Sequence, residues 1–289
     1  MLRFSRAAAG LLLACAAWPA TAQPSVAAPP VAQPARWHLH GAADRCVLTR
    51  QLQGSPGAAT FILRTVPGSG QYEVILAGQG LAGEFGRWAR DARIGIVGSD
   101  ATFAAQAAAV DMPGELGKGL VVGPLPASFL DAVAKGNAVR LIGSDAKQLG
   151  SWTLPTGAKA AEAVAFCETE KLIEWGADRE ALEAGGGRPR PASDPAKWVT
   201  IRDFGLFNAA GPALFSVVFR VDVDPAGKAT GCEVIDWAGN VDRAKQGFCR
   251  TIVRSARYEP ARDARGNAVR SVAVHSLHYS LTTEFRPAL

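Results

Sequence analysis

The cleanest pattern of apolar and polar positions lies near the C-terminus. In "LFSVVFRVDVDPAGKATGCEVIDW", Phe215, Val217, Phe219, Val221 and Val223 alternate with Ser216, Val218, Arg220 and Asp222. That period of two predicts a strand with one strongly apolar face. "DPAG" is a tight turn, with Pro225 presetting φ and Gly227 free to adopt a left-handed conformation, and "ATGCEVIDW" returns as a second strand. Val241, Ala244, Phe248, Ile252 and Ser255 then recur at helical spacing until Pro260 forbids continuation. "ARDARGNAV" is a second turn and "RSVAVHSLHYSL" a last strand, so the unit reads strand, strand, helix, strand.

Upstream, short apolar runs at "ATFILRTV", "QYEVILAG", "RIGIVGS" and "AVRLIGS" are separated by Gly, Pro and Ser clusters, a strand-and-turn rhythm. Two helices are predicted beside them, "PASFLDAVAKG" ending at Gly136 and "AKAAEAVAFCETEKLIEWG" ending at Gly176. In the second, Ala160, Val164, Cys167, Lys171 and Trp175 share a face. The expected class is α+β: a strand-rich domain with two helices, followed by a small strand-strand-helix-strand domain.

Punctuation sets the boundaries. "QPSVAAPPVAQPA" carries no charge and no apolar period, which marks residues 23–36 as an extended linker. "EAGGGRPRPASDPAK" combines three consecutive glycines with three prolines and marks 183–197 as a second linker. The expected folded pieces are therefore 37–182 and 198–289.

Before them, Arg3 and Arg6 precede an apolar run from Ala7 to Trp18 and small residues at Ala20 and Ala22. Residues 1–22 are read as a secretory signal peptide cut after Ala22, which places the mature chain in the periplasm. The run is shorter than the roughly twenty residues a membrane-spanning helix needs. Cys15 in "LLAC" leaves a lipidated N-terminus open. Losing Arg3 and Arg6 reduces the formal charge of +5 to a mild excess, so charge gives little reason to expect a polyanion, and export argues against nucleic acid.

Export also bears on the cysteines. Cys46, Cys167, Cys232 and Cys249 remain after cleavage, an even number in an oxidising compartment. Of three possible pairings, Cys46 with Cys167 and Cys232 with Cys249 keeps both bridges local. The first ties a helix to the first strand; the second ties the second strand of the C-terminal unit to the helix that covers it. No Cys or His spacing suits zinc, and no cofactor is expected.

Catalytic motifs are thin. Gly78, Gly80 and Gly83 have G-x-G-x-x-G spacing after a strand, with Asp100 about twenty residues on, which keeps an exported dinucleotide-binding enzyme as an alternative. The simpler reading gives these glycines to turns between antiparallel strands. "GELGKG" around Lys118 has two residues between its glycines where a phosphate loop has four. His38 and His40 share a strand face without a third ligand, and His275 and His278 point to opposite faces.

The order of "FRVDVDPAGKATGCEVI", "CRTIVRSARYEPARDARGNAV" and "VAVHSLHYSL" resembles the C-terminal domain of TonB-family proteins over about residues 198–289. The resemblance implies a helix packed across a small sheet. It makes Tyr258 and Pro260 a structural joint where the helix exit meets the next strand, with Arg254, Arg257, Arg262 and Arg265 on its wet side. It also implies that the final strand lies at the sheet edge and receives a strand from a partner, a periplasmic segment of an outer-membrane transporter or another envelope protein. Leu277, Tyr279 and Leu281 would face the core, and Val272, Val274, Ser276, His278 and Ser280 would form the partner-binding edge. The expected function is a periplasmic binding module in envelope transport. The alternatives are an anchored energy transducer to outer-membrane transporters, the exported enzyme, and a purely structural envelope protein.

Overall fold

Alternation is the organising feature of strands β1 (His38–Gly41), β2 (Cys46–Leu52), β3 (Gly54–Ser55), β4 (Ala59–Thr65) and β5 (Gln71–Ala77). Leu48, Phe61, Leu63, Val74 and Leu76 are buried, while Val47, Thr49, Arg64 and Glu73 between them are partly exposed. The computed structural model describes residues 36–78, 85, 89–185, 187–200, 213–239 and 242–281. The expected signal peptide and nearly all of the first linker lie outside the described residues, as do Gly80 and Gly83.

β6 (Arg90–Val97), β7 (Ala101–Asp111), β8 (Lys118–Pro126), β9 (Ala138–Gly143) and β10 (Gln148–Thr153) complete an antiparallel sheet in the order β1-β2-β4-β5-β8-β7-β6-β9-β10-β3. Only Gln53 separates β2 from β3, yet β2 pairs with β4 while β3 pairs with β10 at the opposite end of the order. The sheet therefore closes on itself as a barrel, which removes most of its open edge. Gly54 makes the closure possible. A Cβ there would lie 2.1 Å from the Ser151 carbonyl oxygen, so only glycine lets β3 approach β10. The Thr153 N–H donates to the Gln53 carbonyl at 2.9 Å, and the Trp152 indole donates to the Gly57 carbonyl at 2.9 Å.

The barrel interior is one apolar cluster. Strand residues such as Leu120, Val122, Ile94, Leu141 and Trp152 join Phe129 and Val133 of α1 (Ser128–Lys135) and Ala160 and Val164 of α2 (Gly157–Glu174). The helices thus extend the same core that the strands line. On the outside, Cys167 of α2 is bonded to Cys46 of β2 with a Cα separation of 6.1 Å. A short helix α3 (Arg179–Glu183) follows, its first turn capped by Asp178, which accepts from the Ala181 N–H.

After β11 (Arg190–Pro191) the chain forms β12 (Ala213–Val223) and β13 (Ala229–Gly239), then α4 (Asp242–Ser255). β14 (Tyr258–Glu259), β15 (Ala261–Arg262) and β16 (Ala268–Val269) lead into β17 (Ser271–Leu281). β12, β13 and β17 make a second antiparallel sheet, order β13-β12-β17. Val217, Phe219, Val221 and Val223 turn one face toward Phe248 and Ile252 of α4, and the Phe219 and Phe248 rings meet edge-on at 4.8 Å. Cys232 and Cys249 bond β13 to α4 across seventeen residues. Together the two bridges mark an oxidising, exported compartment. Among the described residues no helix is long and apolar enough to cross a membrane.

The expected α+β class is overturned. Strand outweighs helix more than twofold, and the ten-stranded sheet makes the protein mostly β. The apolar runs from Ala59, Gln71, Arg93 and Ala138 form β4, β5, β6 and β9, whereas β7, β8 and β10 carry no such run. β7 is "ATFAAQAAAVD", whose alanines carry no strand propensity, and β8 is broken by Gly119, Gly123 and Pro124. Counting those strands turns a mixed domain into a barrel with two attached helices.

Candidate interaction edge

The second sheet has two faces, and both are covered. The face carrying Phe219 lies under α4. The opposite face carries Val218, Ile235, Val272 and Val274, which pack with Val66, Leu172, Trp175, Ala177 and Leu182. That third cluster joins the end of α2 and the β4–β5 turn to the C-terminal sheet. Arg220 reinforces it, its guanidinium 5.3 Å above the Trp175 ring. Residues 35–289 consequently form one compact unit. Part of the Gly/Pro stretch 183–197 is held in it: β11 pairs with β14, and the Ser271 hydroxyl donates to the Gly187 carbonyl at 2.7 Å.

With both faces occupied, the sheet meets solvent through its edges, β13 and β17. They differ. Pairing between β12 and β13 shifts register twice, at Val218/Phe219 and at Asp222/Val223, leaving Ile235 and Thr230 of β13 as extra residues. Such bulges twist an edge and blunt it as a template. β17 pairs with β12 without interruption from Ser271 opposite Val223 to Leu281 opposite Ala213. Among the described residues no strand pairs with its outer side. A regular strand of eleven residues with one side unpaired can accept another strand.

The predicted edge residues divide by what covers them. Val272 and Val274 are buried against the α2 and β4–β5 side, and Ser276 lines a cleft on that same side. Their side chains therefore serve the joint between barrel and sheet, and what β17 offers outward is main chain. The side chains of His278 and Ser280 lie outside the described ones; their backbone pairs with Ser216 and Leu214.

On the α4 side, β17 is anchored by His275. Tyr258, the aromatic at the helix exit, brings its hydroxyl to 3.0 Å from His275 Nε2, and Trp198 meets the Tyr258 ring at a tilt and the His275 ring edge-on, each with centroids at 5.3 Å. The Trp198 indole donates to the Ser193 hydroxyl at 2.8 Å. Burial pushes the His275 pKa down to about 4 and raises that of Tyr258, so both groups are neutral and their contact is a hydrogen bond between uncharged partners. Pro260, half-buried, follows Tyr258 and ends β14. Gly227 fixes the other side of this knot: it accepts from the Tyr258 N–H at 2.8 Å, with φ at +76°, and a Cβ there would lie 2.0 Å from the Tyr258 carbonyl oxygen.

The cleft behind β17 was not foreseen. Its volume is about 180 Å³, and Arg45, Arg64, Glu73 and Gln71 of the barrel face Val218, Asp236 and Ser276 of the sheet. Its charges are internally matched: Arg64 pairs with Glu73, and Arg45 sits 2.7 Å from Asp44 and 4.0 Å from Asp236. The hydrogen bond from Arg45 holds the Asp44 carboxyl below its ordinary range. Beneath it Glu168 is buried, with Thr65 Oγ1 3.0 Å from Oε1 and the Tyr72 hydroxyl 3.3 Å from Oε2. Desolvation raises the Glu168 pKa. No single sequence signal could have assembled these groups, which come from separated strands and a helix.

The other candidates are placed as follows. His38 and His40 lie on the exposed strand β1, and among the described residues no group of three metal-ligating side chains forms. β5 and β6, which flank the Gly78–Gly83 stretch, are not neighbours: β5 lies between β4 and β8, β6 between β7 and β9. A dinucleotide fingerprint works between adjacent parallel strands, and the barrel's strands are antiparallel. No protein-family model matches the chain, and no curated protein or solved structure shows significant similarity to it.

Proposed function

We propose that this protein is a periplasmic interaction module of the TonB type, which binds a partner by adding the partner's strand to the outer side of β17. The observation that carries the reading is the uninterrupted edge of β17, set against the bulged edge of β13. Main-chain bonds of the added strand would supply affinity, and its alternate side chains would supply specificity. The TonB-like order of hairpin, helix, Tyr258–Pro260 exit and final strand supports the same reading. So do the two disulfides, which suit export, and the apparent signal peptide at 1–22. On this reading the partner is an extended segment of an outer-membrane transporter or another envelope protein.

Because the β17 side chains hold the protein together, partner recognition falls on the backbone. Crosslinking in whole cells, with mass spectrometry of the joined peptides, tests this. The reading expects captured partner peptides joined to the region of β17. Crosslinks confined to the barrel wall would overturn it.

A further inference from the structure

The stretch from Arg254 to Arg265 is more than the outside of a joint, because folding brings cations from two distant segments beside it. Lys228, in the β12–β13 turn, forms an antiparallel bridge with Arg257, which sets the two directly opposite each other. On the other side of the same segment, the Ala192 N–H donates to the Arg257 carbonyl at 2.8 Å, and Arg190 pairs with Glu259. Residues opposite one another, or two apart on one strand, point to the same side of a ladder. Lys228, Arg257, Glu259 and Arg190 therefore share one face, and all four are exposed. Arg254, Arg262 and Arg265 are exposed along the same run of chain.

Like charges directly opposite on paired strands repel. Among the described residues no carboxylate lies within 4 Å of the charged nitrogens of Lys228, Arg190 or Arg257. The adjacent acids are engaged elsewhere. Asp224 accepts from the Ala226 and Lys228 N–H groups, and Asp263 from Arg265, Asn267 and the Asn267 side chain. Of the Arg257 donors, Nη1 binds the Ala256 carbonyl at 2.7 Å, leaving the rest of the fork available. The result is an open strip on whose shared face three cations stand with one carboxylate, Glu259: charge complementarity calls for an extended anionic surface that can meet several cations at once.

We infer that this face docks the protein onto the anionic phospholipid head groups of a membrane leaflet. Phosphate suits both kinds of donor, the arginine fork and the lysine ammonium. Contact would be peripheral and salt-sensitive, since no apolar side chain of the strip is placed to insert. This inference does not depend on the strand-addition reading.

The test uses the full chain with both disulfides intact and sedimentation with vesicles of phosphatidylglycerol and phosphatidylcholine, against vesicles of phosphatidylcholine alone. Binding is expected only to the anionic vesicles and should disappear at about 0.5 M salt. Each surface cation contributes about five-fold to such binding, so the triple variant Arg190→Gln, Lys228→Gln, Arg257→Gln should bind about 100-fold more weakly. A control that removes charge elsewhere, Arg93→Gln with Arg140→Gln on the outer barrel wall, should change binding by less than about three-fold, with melting temperatures confirming that all variants fold. Equal losses in triple variant and control would reduce the effect to net charge and overturn the assignment. So would absence of vesicle binding by the native chain, or binding to an acidic polypeptide such as polyglutamate that exceeds binding to the vesicles.

Discussion

Tyr258 and His275 meet at 3.0 Å between hydroxyl and Nε2, joining the exit of α4 to the middle of β17. This contact ties the strand proposed as the interaction edge to the helix that covers its sheet. Because the half-buried His275 ring is packed among Phe219, Tyr258 and Trp198, the contact also has a pH signature.

The His275 pKa is lowered from 6.5 to about 4, so between those values the unfolded chain binds a proton that the folded chain refuses. Stability is fully present above about pH 6.5 and is lost as pH falls toward 4. At pH 5 the loss from this residue comes to about 2 kcal/mol. His275→Gln keeps a hydrogen-bonding side chain without titrating. Denaturant midpoints at pH 5 and pH 7.5 should lie closer together in the variant than in the native protein; an unchanged gap would place the acid sensitivity elsewhere.

Glu168 behaves with the opposite sign. Its raised pKa means the folded state favours the protonated acid, so its contribution is complete at low pH and is lost as pH rises above the ordinary carboxylate range. The Thr65 and Tyr72 hydroxyls, which donate to its two oxygens, pull the other way by favouring the charged form. Arg188 likewise favours the charged form, and desolvation outweighs all three. Glu168→Gln should raise the melting temperature at pH 8 and leave it nearly unchanged at pH 4. A fall at pH 8 would show that the carboxylate is the required form.

Barrel closure depends on Gly54. Gly54→Ala forces a methyl group into the Ser151 carbonyl, a backbone atom that cannot rotate away, and should cost about 3 kcal/mol. Gly57→Ala, three residues on and facing open space, is the control and should leave the denaturant midpoint near its native value.

What the sequence made legible followed from strong local signals. The alternation from Phe215 to Val223, the turn at Asp224–Gly227, and the helical stripe through Phe248 and Ile252 correspond to β12, its hairpin and α4. Both cysteine pairings follow from the helix-face position of Cys167 and the short separation of Cys232 from Cys249. The barrel was hidden for a physical reason. On β7, Ala101, Ala105, Ala107 and Ala109 face the core with Phe103 and without a β-branched side chain among them, so the strand lacks the composition that marks one. Closure itself rests on the lack of a side chain at Gly54. The packing of Val272 and Val274 against the end of α2 was equally out of reach, because alternation marks two faces of a strand without saying what covers the second.

The central claim is that the outer side of β17 receives a partner's strand. Adjacent residues of a strand point their N–H groups alternately toward the neighbouring strand and away from it. Of Ser276→Pro and Leu277→Pro, one therefore breaks the β12 ladder and the other removes an outward donor. The decisive measurement is partner capture in whole cells by these two variants, compared with Ser276→Ala and Leu277→Ala and read together with the melting temperature of each. The account predicts that one proline variant melts close to its alanine counterpart and yet loses capture at least ten-fold. If that stable proline variant captures the partner as well as the alanine variant does, the edge of β17 is not the binding site.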